Sequence, residues 1–149
     1  MLLRAIAAFV ALPGMVAFTV PIAIGVSAGR PVRHAAAAVI ALCLGTLLLL
    51  SCVREFYVAG RGTLAPWAPP PQLVTSGPYR LSRNPMYIAV ATILLGWCLL
   101  WDSRTLIVYA VLVVCAFHLR VLLAEEPWAA RRFGAEWQAY RSRVPRWVL

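Results

Sequence analysis

Two polar clusters hold most of the side chains in this sequence that could do chemistry. The first, Gln72–Tyr87, reads QLVTSGPYRLSRNPMY and lies between two apolar halves. Its Thr75-Ser76-Gly77-Pro78 segment is turn-forming, since glycine takes positive φ readily and proline fixes the φ that follows. Such a turn exposes backbone N–H and C=O groups that can read the edge of a flat heterocycle. Arg80 and Arg83 offer forked donors to a carboxylate or phosphate. Tyr79 and Tyr87 add hydroxyls and π faces, which attract cations. The second cluster, Arg120–Glu126, closes the last apolar run. Glu125 and Glu126 are adjacent carboxylates at a span end, where desolvation is costly unless a cation offsets it.

Each residue alone has a plainer reading. The arginines can meet lipid phosphate, and the tyrosines can belong to an interfacial belt. The glutamates can pair with Arg120 or the tail arginines, and His118 can be a hydrogen-bonded interior histidine. Together they suit one ligand with a heterocycle, a carboxylate, an ammonium and a second cationic centre. Arg83 would take the carboxylate, a glutamate the ammonium and the loop backbone the heterocycle. S-adenosylmethionine carries that set of groups.

The elements that must position these clusters follow from composition. Hydrophobic residues make up 62% of the 149 positions and charged ones 13%, with a mean hydropathy of +0.80. A water-soluble domain is nearer roughly 45–50% apolar and 25% charged, so the chain reads as a single-domain membrane protein, residues 1–149. Fourteen arginines, no lysine and five acids give a net charge of +9. The arginines flank apolar runs, which suits a bilayer as partner and not nucleic acid. The four cysteines lie within apolar runs without a CxxC or ligand spacing, so neither a disulfide frame nor a metal site is expected.

The predicted fold is all-α, an integral membrane bundle of four transmembrane helices with a C-terminal amphipathic interfacial helix. The spans are predicted at about 5–26, 35–53, 86–101 and 106–124. Pro13 and Pro21 should kink the first. A cleaved signal peptide is its rival reading, because Arg4 precedes it and Val26-Ser27-Ala28 resembles a cleavage site; its length and prolines favour a span. Pro66–Pro71 is an extended connector with Trp67 at headgroup depth. Asn84-Pro85 starts the third span, and Asp102 or Ser103 caps the fourth. In the tail, Ala129, Phe133, Trp137, Tyr140 and Val144 recur at helical spacing, predicting an interfacial helix over about 127–142. With four spans, eleven arginines share a side with both clusters and three lie opposite, which puts the clusters and both termini in the cytoplasm.

The stretch Gln72-Leu73-Val74-Thr75-Ser76-Gly77-Pro78-Tyr79, followed by Arg83-Asn84-Pro85-Met86-Tyr87, resembles the signature of the isoprenylcysteine carboxyl methyltransferase family, which belongs with the membrane phospholipid methyltransferases. The resemblance continues through Glu125-Glu126, Phe133-Gly134, Trp137, Tyr140 and Arg143-Val144-Pro145, and covers about half the chain from Arg61 onward. It implies an S-adenosylmethionine-dependent methyltransferase of a bacterial inner membrane, acting on a lipophilic acceptor that enters sideways from the bilayer. By that resemblance, Gln72, Leu73, Val74 and Tyr79 line the adenosine side of the cofactor. Asn84, Pro85, Met86, Tyr87 and Glu125 line the methionine side, and the tail becomes a lid as well as an anchor. Gly77, in the motif's turn, and Arg83, as the carboxylate donor, complete the expected cofactor-binding set. The family often has His at the place of Asn84, and either can donate to a carboxylate. Glu126, Arg120 and His118 are the candidates for the catalytic side. An amine acceptor would need a base, for which Glu126 or His118 would serve, and a carboxylate acceptor would need none. Two other readings share the pattern: an NADPH-dependent membrane reductase, whose tail Gly134-Ala135-Glu136-Trp137-Gln138-Ala139-Tyr140 would fit, and a non-catalytic scaffold.

Overall fold

The computed structural model describes residues 10–29, 31–59 and 71–148. Arg4, the first residues of the predicted 5–26 span, Arg30, Arg61 and the connector with Trp67 lie outside the described residues. Those described form helices and turns, with no strand among them.

The chain enters as a π-helical run, Val10–Thr19, which tightens into α1, Val20–Ser27. Pro21 has no N–H to give to the Ala17 carbonyl, its α-helical partner, or to that of Val16, its π-helical one. Side chains from later helices replace it. The Trp97 indole N–H donates to the Ala17 carbonyl at 2.8 Å, and the Tyr109 hydroxyl donates to the Val16 carbonyl at 3.0 Å. Such outside donors are what let an apolar helix keep its proline in a bilayer. Trp97→Phe is therefore expected to cost about 1 kcal/mol, read as a lower unfolding midpoint in detergent. An unchanged midpoint would mean that the Ala17 carbonyl does not depend on this donor.

Two helices are long and apolar enough to cross a membrane: α2, Ala35–Val58, and a continuous 30-residue rod, Arg104–Phe133. The run Pro13–Ser27 and α3, Pro85–Trp101, are apolar but shorter, so the expected four spans appear as two full-length helices and two short ones. Helix α2 outruns the predicted 35–53, because no helix breaker follows Arg54-Glu55 before Gly60. It packs on α3 at Gly45, where a Cβ would come within 2.9 Å of the Ala89 carbonyl and 2.7 Å of Ile93. Small residues permit this close approach of backbones. Leu49, Ala89, Val90, Ile93 and Leu94 form the core around it.

Asp102, in the left-handed region at φ +43, ends α3 and pairs with Arg33 at 2.7 Å. Both side chains are well exposed, so the pair adds little stability. Ser103 holds the cap position of α4, Arg104–Arg120, without a side-chain cap bond, contrary to one of the two expected caps. The rod then widens into a π turn, Val121–Glu125, and resumes as α5, Glu126–Phe133. The widened turn directly precedes Pro127, whose ring would otherwise crowd the carbonyl one turn back.

The tail departs from expectation. Instead of one helix over 127–142, α5 breaks at Gly134 (φ +51, ψ −118) and the chain restarts as α6, Ala135–Arg143. Only glycine takes that backbone region readily. The break folds the apolar positions inward, so that Ala129, Trp137, Tyr140 and Val144 are buried together against Leu73, Trp128 and Phe133. The periodic face meets protein and not lipid.

Candidate active site

The π turn, the tail and the central motif enclose a cavity of about 750 Å³. That lies within the ~300–1,000 Å³ usual for small-molecule sites. Of the residues expected to bind cofactor, Gln72, Leu73, Val74, Tyr79, Arg83, Asn84, Met86, Tyr87 and Glu125 line it, as do Glu126 and Arg120. Gly77, Pro85 and His118 do not. Gly77, at φ +56, turns the chain beside Glu55, whose carboxylate accepts the Ser76 hydroxyl; a Cβ at Gly77 would reach 2.8 Å from Glu55 Cγ. Pro85 is buried in the first turn of α3. His118 stacks on Trp147 at 5.9 Å and lines a second, apolar groove that shares Tyr87 and Phe117 with the cavity.

Three features set the chemistry of the cavity. On one wall, the Tyr87 hydroxyl donates to Glu125, which also accepts from Arg120 Nε at 2.7 Å. The Tyr87 ring stacks on Phe117 at 4.4 Å, which fixes its direction. The two clusters, 38 residues apart, therefore meet side chain to side chain.

On a second wall sits Arg83, with a side chain only 8% exposed. Its Nη1 is 3.1 Å from Glu126 Oε1, yet Nη1 and Nε make no hydrogen bond among the described residues, and neither does the buried Trp137 Nε1. The guanidinium lies over the Trp137 ring, 5.5 Å from its centroid. Burial lowers the Arg83 pKa from its ordinary value, Glu126 opposes the fall, and Arg146 and Arg141 add to it. A guanidinium stays charged regardless, so this wall presents a desolvated cation with donors to spare.

The third feature is the C-terminal strap that holds the motif. The Arg83 N–H donates to the Pro145 carbonyl at 2.9 Å. Ser82 Oγ and Asn84 Nδ2 both donate to the Arg146 carbonyl, at 3.0 and 3.1 Å. Asn84 is thus engaged with backbone, and its expected role as a carboxylate donor is at least half used up. The Tyr140 hydroxyl donates to the Tyr79 carbonyl at 2.7 Å. Burial pushes the Tyr140 hydroxyl up to about 12 despite the pull of Arg83, and burial likewise raises Tyr79, so both are neutral donors at physiological pH. Glu126 is gripped through both oxygens by Arg146, at 2.9 and 2.8 Å. Against the upward push of burial, Arg146 and Arg83 hold the Glu126 pKa below its ordinary value, which makes the carboxylate a weaker base.

Sequence reasoning missed three participants: Glu55, which seats the Ser76-Gly77 turn; Arg146, which grips Glu126; and the Trp137 indole N–H. Glu55 is one of only five acids in an arginine-rich apolar chain, a signal strong enough to have raised the question of its partner. Nothing in the order of the sequence marks Arg146 apart from the other tail arginines.

The described residues thus form an all-helical protein with two apolar helices of spanning length and a cavity lined by a buried cation and two carboxylates. A family model described as phospholipid methyltransferase matches residues 32–136, more than half the chain, and the chain belongs to that family, a family of methyltransferases. The match begins well before Arg61, so it takes in α2 as well as the motif and most of the cavity lining, but not Trp137 or Tyr140. It lends no support to the reductase alternative. No curated protein and no solved structure matches the chain.

Proposed function

We propose that the protein transfers a methyl group from S-adenosylmethionine to a lipophilic acceptor resident in the membrane, at the cytoplasmic face. The carrying observation is Arg83: a buried cation with two unpartnered donors, in the lining of a cavity whose other wall is the Glu125–Tyr87–Arg120 chain. The residues present fit the cofactor. Arg83, with the unpartnered Trp137 indole N–H beside it, would hold the carboxylate, Glu125 the ammonium, and Gln72–Val74 with Tyr79 the adenosine. When bound, the cofactor supplies an electrophilic methyl on a sulfonium. The chain's own residues would bind, align and exclude water, which is where the rate advantage of such transfers resides. The π face of Tyr87 suits a neighbouring cationic centre.

In this reading the chain works as one domain with four membrane crossings, the two short apolar helices crossing beside the two long ones, in a bacterial inner membrane. The arginine bias puts both termini and the cavity on the cytoplasmic side. The test is a labelled-methyl transfer assay with purified protein against a lipid extract, with identification of the labelled product. Label in a lipid is the expected result. Calorimetric heat with S-adenosylhomocysteine but no transfer would favour the scaffold, and heat with NADPH alone would reject methyl transfer.

A further inference from the structure

We infer that Arg146 is a positioning residue for ligand binding: its fork fixes the orientation of Glu126 and thereby leaves the donors of Arg83 free to take the carboxylate of the bound cofactor. The inference rests on the methyltransferase reading above and concerns a residue that never enters the cavity lining. Two guanidiniums compete for one carboxylate here. Arg146 wins both oxygens, with Nε on Oε1 at 2.9 Å and Nη2 on Oε2 at 2.8 Å, the parallel two-bond geometry that guanidinium and carboxylate prefer. Arg83 is left with a single approach of 3.1 Å that does not satisfy hydrogen-bond geometry, and with Nε and Nη1 unpartnered in a buried site.

Without the Arg146 fork, nothing would hold Arg83 off Glu126. The two would form the forked pair themselves, and the donors now unpartnered beside the cavity would be spent. The backbone supports the same arrangement, because Arg83 N–H is bound to the Pro145 carbonyl and its neighbours Ser82 and Asn84 to the Arg146 carbonyl. One residue therefore fixes the main chain around Arg83 through its carbonyl and frees the Arg83 side chain through its guanidinium. Lysine would keep the charge but not the fork.

The experiment compares two ligands by calorimetry on the full detergent-solubilised chain: S-adenosylhomocysteine, and 5′-methylthioadenosine, which lacks the carboxylate and the ammonium. Arg146→Lys is expected to weaken S-adenosylhomocysteine roughly tenfold, the scale of one misplaced charged hydrogen bond, and to leave 5′-methylthioadenosine unchanged. Arg83→Gln/Arg146→Lys should bind no more weakly than Arg83→Gln alone. Equal weakening of both ligands would make Arg146 merely structural and overturn the inference, as would unchanged affinity for both. Arg146→Gln, neutral and similar in length, gives the same comparison should the lysine variant fail to fold. If the unaltered chain bound neither compound, the cofactor reading itself would fall, an outcome distinct from a failure at Arg146.

Discussion

An Arg83→Gln chain is expected to bind S-adenosylhomocysteine about 10- to 150-fold more weakly than the unaltered chain, with its unfolding midpoint nearly unchanged. A hydrogen bond to a charged group contributes about 1.5–3 kcal/mol, and each 1.4 kcal/mol is tenfold in affinity. Arg83 is suited to that contribution because its unpartnered donors are already buried, so the desolvation has been met before the ligand arrives. Its loss should spare the fold. Glu126 keeps both bonds from Arg146, and burial disfavours the Arg83 charge in any case. Calorimetry paired with thermal unfolding in detergent checks both halves. Unaltered affinity in a folded variant would remove Arg83 from the binding site and with it the main ground for the cofactor assignment.

The second large effect is on stability. Glu126→Ala should lower it by about 3 kcal/mol, the lower end of what breaking a buried ion pair costs. The substitution leaves two guanidiniums near each other without an anion, one of them 8% exposed and the other 29%. The greater exposure of Arg146 lets solvent screen part of the repulsion, which holds the figure at the low end. Glu126→Gln keeps the shape and loses the charge, so it should be destabilised nearly as much. Equilibrium unfolding in detergent reads the difference. A midpoint close to that of the unaltered chain in both variants would show that the three charges are independent of one another, and the positioning role of Arg146 would then have no basis.

What the sequence by itself determined is the class of the molecule and the identity of much of the polar part of its cavity wall. Long uncharged runs flanked by arginines favour a bilayer as surroundings, and helices satisfy their own backbone there, which is why the all-helical class was legible from composition and charge placement. The motif Gln72–Tyr87 and the pair Glu125-Glu126 stand out because polar residues beside apolar spans are costly to keep without a use. What only the tertiary structure decided is which donors are free. Arg83 and Arg146 are the same residue type, and no periodicity says which will take Glu126 and which will face the cavity. The tail misled for a related reason: Ala129, Phe133, Trp137, Tyr140 and Val144 keep helical spacing across Gly134, but one residue in the positive-φ region turns the face from the lipid to the protein. Local spacing fixes which side of a helix is apolar, whereas the partner of that side, and of each buried charge, is set by distant segments competing for the same contact.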